Sequence, residues 1–184
     1  VAFSILAAVL VAAAYTDVRR GKVYNVVTYP AVAAGLIGHG VFGGLTGTES
    51  GMGLYDSLAG LAAGFGPMLV MWLAGGIGGG DAKLMGAVGA LAGWRFALAA
   101  MFYGFAVAAL MALVVLLRRR ILRRTLARIG RFLYLALTPG KGADPAGADS
   151  PKIAFGLALS AGAGLAMVEA VVRGPAATKL ILGI

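Results

Sequence analysis

The chain has 184 residues, 60% of them hydrophobic and only 12% charged, with a mean hydropathy of +0.91. Those figures exclude a soluble globular domain, in which about a quarter of residues are charged, and point to an integral membrane protein. A net charge of +9 could suggest a nucleic-acid partner, but the basic residues sit in short blocks flanking apolar segments, a placement that fits bilayer orientation and anionic lipid instead.

A spanning helix needs about 20 apolar residues, so at most six membrane segments fit. The first, 1–15, ends at the polar break Thr16-Asp17-Val18-Arg19-Arg20-Gly21-Lys22. With no basic region ahead of it, this segment reads as a span rather than a cleaved signal peptide. The second, 25–42, carries Pro30 in its first turns, where proline is tolerated. A Gly/Thr/Ser loop follows to Tyr55, and Asp56-Ser57 is the expected N-cap of a third span to about Gly75. Gly60 and Gly64 in that span have the small-xxx-small spacing that lets helices approach closely, and Gly66-Pro67 predicts a bend.

Next comes GGIGGGDAKL, 75–84, where five glycines run into Asp81 and Lys83. Glycine without a Cβ admits close backbone approach, and a carboxylate at the edge of a membrane bundle is costly enough to mark a functional site. The apolar stretch 82–93 is too short to span comfortably, whereas 95–117 is the longest clear span. Region 118–152 is basic and polar. Its first half, Arg118 to Arg131, alternates arginines with apolar residues at helical spacing, which predicts an amphipathic helix on anionic lipid. Its second half, 138–151, reads as a Gly/Pro/Asp linker, and 153–172 is the last span. The expected fold is therefore an all-α polytopic membrane protein: a six-helix bundle forming one domain over 1–184, with a cytoplasmic basic segment.

The loop after the first segment holds Arg19, Arg20 and Lys22, the next loop holds no Lys or Arg, and the basic region holds nine. The positive-inside rule then makes the first, third and fifth loops cytoplasmic. Asp17 and Asp81 thus fall at the same face. Two carboxylates brought together disfavour double ionisation and retain a shared proton, so one can take a proton from water while the other donates one to a scissile amide. The absence of cysteine excludes thiolate chemistry and Cys-based zinc sites, and the only histidine, His39, lies mid-span. No cofactor and no metal is expected.

Gly78-Gly79-Gly80-Asp81-Ala82-Lys83-Leu84 resembles the GxGD motif and following KL of the prepilin peptidases, or type IV leader peptidases, which are membrane aspartic proteases. Asp17 to Asn25 is similar to that family's other motif, an aspartate followed by basic residues and then Ile/Val-Pro-Asn, and 153–159 to the apolar segment opening its last helix. Tyr24 and Ala154 stand where the family usually has proline, which bears on loop geometry more than on chemistry. The resemblance implies Asp17 and Asp81 as the catalytic pair and a prepilin or pseudopilin substrate, cut at the cytoplasmic face of the inner membrane after a glycine that precedes the hydrophobic helix. It also implies a short, peptidase-only branch of the Flp or tight-adherence type with no methyltransferase activity, since the paired CxxC motifs of the larger members are missing.

Gly78 and Gly80 would let an unwound substrate backbone approach, Asn25 would orient loop or substrate backbone or else cap the second span, and Lys83 would be an electrostatic neighbour of the aspartates or an interfacial lysine. The plainer readings make Asp17 a helix-end carboxylate paired with Arg19 or Arg20, and Asp81 an ion site in a small cation- or proton-coupled transporter.

Overall fold

The computed structural model describes residues 2–47, 52–123, 125–127 and 154–172. Every regular element among them is helical: α1 (Ala2–Arg20), α2 (Asn25–Gly43), α3 (Leu54–Leu73), α4 (Gly79–Arg118) and α5 (Phe155–Val172). All five are long and apolar enough to cross a membrane. Val11, Phe42, Leu73, Phe102 and Val171, one from each helix, are exposed apolar side chains, as expected where the surrounding solvent is lipid. The protein is an all-α polytopic membrane protein.

Helix α4 is broken into two helical segments at Gly93, whose backbone (φ 84, ψ 170) is open to glycine and closed to most other residues. Residues 79–92 form one segment and 94–118 the next. The first is only about 21 Å long at 1.5 Å per residue, short of the ~30 Å hydrocarbon core. It is nonetheless the centre of the bundle, since every residue from Asp81 to Gly93 except Lys83 is buried. A helix apolar all round belongs inside.

Glycines bring the neighbours onto this central segment. A Cβ on Gly60 of α3 would lie 2.0 Å from the Gly89 carbonyl oxygen, and one on Gly64 2.1 Å from that of Met85, so α3 and the central segment cross backbone to backbone. A Cβ on Gly35 of α2 would likewise meet the Ala90 carbonyl at 2.6 Å. Helix α5 packs on α1, and its Gly162 lies against the backbone of Gly104.

Two caps differ from the sequence-based expectation. Helix α3 starts at Leu54, ahead of Asp56-Ser57, because Gly53 takes the extended cap position and donates its N–H to Asp56 Oδ2 at 3.2 Å. Ser57 instead donates its hydroxyl to the Ala90 carbonyl at 2.7 Å, in the core. Helix α2 is capped by Tyr24 without a side-chain bond, leaving Asn25 as the first helical residue. Helices α2 and α3 run on through Pro30 and Pro67.

The chain divides into two compact units, 1–108 with 154–184, and 109–153. The second opens with the end of α4, whose Leu110, Leu113, Val114 and Leu117 are exposed, followed by a turn at Arg119-Arg120 and helical residues at 122, 123 and 125–127. Arg124, Arg128, Arg131 and the linker expected at 138–151 lie outside the described residues.

Candidate active site

Asp17 occupies the last turn of α1, where the helix dipole disfavours a carboxylate. Its compensation comes from another helix. Leu157, third residue of α5, donates its backbone N–H to Asp17 Oδ2 at 2.8 Å, so the positive end of α5 faces the carboxylate. Gly156 permits the approach: a Cβ there would lie 3.0 Å from Asp17 Cγ and 3.1 Å from Oδ2. The nearby arginines are engaged elsewhere, Arg19 over the Tyr15 ring at 5.2 Å, and Arg20 over the Tyr24 ring with a 3.2 Å bond to its hydroxyl. A simple helix-end pairing of Asp17 with Arg19 or Arg20 is therefore not the arrangement adopted.

Asp81 is the third residue of α4 and also sits at a helix N-terminus, in this case its own. Gly78 precedes the helix and donates its N–H to Asp81 Oδ2 at 3.2 Å, while the Asp81 N–H returns to the Gly78 carbonyl at 3.1 Å. Gly53 and Asp56 use the same glycine-to-aspartate reach at the start of α3. The turn before α4 requires glycine at Gly75, where φ is +77.

The loop between α1 and α2 joins these two helix ends. Gly21 (φ +61) closes α1 by donating to the Asp17 carbonyl at 2.7 Å, and the chain then passes through 22–24 without regular structure to an extended Tyr24. Val23 thereby comes to lie against the N-termini of α4 and α5, the two helix ends that anchor Asp81 and Asp17. A Cβ on Gly80 would sit 2.8 Å from the Val23 carbonyl oxygen and 3.2 Å from its Cβ; a Cβ on Gly156 would sit 2.9 Å from Val23 Cγ2. The two carboxylates lie within electrostatic reach of one another, and they are only 6% and 8% exposed. In each, Oδ2 is tied to a backbone N–H, and Oδ1 has no hydrogen-bond partner among the described residues. Each carboxylate is fixed by one oxygen and offers the other.

The remaining residues expected at the site fall beside it. Lys83 Nζ donates to Asn25 Oδ1 at 2.9 Å and lies 5.1 Å from the centre of the Tyr29 ring, so it braces the start of α2 against α4 rather than pairing with an aspartate. Asn25 is the acceptor in that brace instead of a cap. His39 is apart from the site and donates from Nε2 to the Leu91 carbonyl at 3.0 Å. Among the described residues no three His, Asp or Glu side chains converge as a metal-ligand set. Sequence reasoning assigned no role to Val23, to Gly156 or to the Leu157 N–H. Gly156 lies in the segment that carries the resemblance, which was its one visible signal.

No curated protein and no solved structure gave a match to the chain. The model of the type IV leader peptidase family matches residues 4–113, well over half of the chain and inclusive of both Asp17 and Asp81. On that match, and with the polytopic helical fold already described, the chain belongs to the type IV leader peptidase family.

Proposed function

We propose that Asp17 and Asp81 are the catalytic pair of an aspartic endopeptidase that removes the basic leader of a prepilin or pseudopilin. The observation that carries this reading is that two buried carboxylates from distant parts of the chain meet at one end of the bundle, each anchored at a helix N-terminus by one oxygen and open at the other. The reaction needs one of them ionised and one carrying a proton. The ionised member takes a proton from water as the water oxygen bonds to the scissile carbonyl carbon, and the other gives its proton to the amide nitrogen as the C–N bond breaks. A carboxylic acid and an amine leave, and the shared proton has changed sides. Anchoring at helix ends holds the pair in register, which is the positioning that such transfers require.

The substrate reading follows from the family together with the placement of charge. A hydrophobic helix can enter laterally from lipid while its polar leader stays in water, and the bond to be cut then lies at the membrane edge, after a glycine. The positive-inside distribution supports a cytoplasmic site in the inner membrane. The absence of cysteine supports the short, peptidase-only Flp-type branch. The whole chain is read as one peptidase domain, with 118–152 as a cytoplasmic loop held to anionic lipid.

The purified protein in detergent, incubated with candidate prepilins and followed by intact mass, tests this. The expected product is a pilin beginning one residue after the glycine. Uncut prepilin, or ion-dependent uptake into proteoliposomes without any cleavage, would replace the peptidase reading with the transporter one.

A further inference from the structure

The two aspartates are held at the N-termini of α4 and α5, and the Val23 side chain packs between the glycine walls of those two helix ends, Gly80 and Gly156. Val23 touches both walls at once: the Cβ positions of Gly80 and Gly156 lie 3.2 Å from its Cβ and 2.9 Å from its Cγ2, respectively. Contacts this short leave no room for a methyl group on either wall. The Gly156 position is also 3.0 Å from Asp17 Cγ, so the crowding extends to the carboxylate itself. Both walls are glycine where Val23 meets them, and its side chain contacts the Cβ position of each.

A peptide hydrolysed here must bring its scissile carbonyl carbon between the carboxylates. The Cα of the acyl-side residue is then one bond away, and any Cβ on it projects into the same crowded gap. We infer that Val23 is a specificity-determining residue, restricting the acyl side of the cleaved bond to glycine by occupying the volume a larger residue would need. The inference rests on the peptidase reading above and adds to it the residue that enforces the choice. It is specificity by exclusion: nothing binds the glycine hydrogen, and a methyl group is refused. Exclusion of one carbon in a tight apolar site is commonly worth 10-fold or more in kcat/KM.

The test compares two prepilins that differ only in glycine or alanine at the acyl side of the cut, with kcat/KM measured for each. Val23→Ala should raise the alanine-to-glycine ratio by about 10-fold or more. A purely packing role for Val23 would lower stability or slow both substrates together and leave the ratio unchanged. Because the chain has no cysteine, Val23→Cys supplies a second, reversible variant. Its ratio should rise as well, return toward the wild-type value after methyl methanethiosulfonate converts the thiol to a methyl disulfide with release of methanesulfinate, and rise again when a dithiol reduces that disulfide. A ratio within twofold of wild type in Val23→Ala, or one in Val23→Cys that does not respond to the reagent, overturns the assignment while leaving the peptidase reading in place. Failure of the wild-type protein to cut the glycine substrate overturns both, and is a separate result.

Discussion

At the scale of single residues, the site depends on where backbone N–H groups point. Asp17 and Asp81 were legible in the sequence because ionisable residues are rare and costly beside apolar segments. The donor to Asp17 was not legible: it is a backbone amide 140 residues away, and a backbone donor carries no residue-type signature. Lys83 could be read as charged but not aimed, since only the fold shows that Asn25 and Tyr29 claim it. Gly156→Ala should move Asp17 off the end of α5, because its Cβ would lie 3.0 Å from the carboxylate carbon. The expected result is a fall in cleavage rate of about 10-fold or more for a cost of about 1–3 kcal/mol in stability, read from initial rates and thermal melts of the same preparation. Lys83→Met breaks one exposed hydrogen bond and one ring contact. It should cost only about 0.5–1.5 kcal/mol and slow cleavage without abolishing it; complete loss in a folded variant would give Lys83 a direct part in the chemistry.

At the scale of elements, apolar runs and polar breaks located the helices, and length alone marked 82–93 as too short to span. What length could not give was its central position, which follows from glycines on α2 and α3 meeting its backbone at Met85, Gly89 and Ala90. The start of α3 was misplaced for a related reason. Asp56 has the character of a cap, but it acts by reaching back to Gly53, and Ser57 was needed in the core. Packing of this kind gives a paired prediction. Gly60→Ala places a Cβ 2.0 Å from the Gly89 carbonyl oxygen, a contact that only separation of the helices can relieve. It should destabilise by about 3 kcal/mol, at the upper end for overpacking. Gly38→Ala, with nothing within 4 Å of its Cβ position, should be neutral or stabilising by up to about 1 kcal/mol, as mid-helix alanine usually is. Equal melting temperatures for the two variants would contradict the packing described for α3 and α4.

At the scale of the whole molecule, the distribution of charge predicts one side of the membrane for both Asp17 and Asp81. The fold brings the helix N-termini that anchor them, those of α5 and α4, together around Val23. The arginines of the basic region are treated as a lipid contact, and this too can be measured. Replacing Arg118, Arg119, Arg120 and Arg123 with glutamine should weaken binding to anionic vesicles, at about 1 kcal/mol per charge near the surface, and leave cleavage in detergent intact. Lost detergent activity at unchanged stability would instead tie those arginines to the reaction. The central claim, that the two aspartates are the catalytic pair, is most directly tested by the prepilin cleavage rates of Asp17→Asn and Asp81→Asn. An asparagine oxygen can still accept from the Leu157 or Gly78 N–H, so both variants should fold with melting temperatures near wild type. The account predicts that each loses about 10²–10⁴-fold or more in rate; cleavage at the wild-type rate by either folded variant would contradict it.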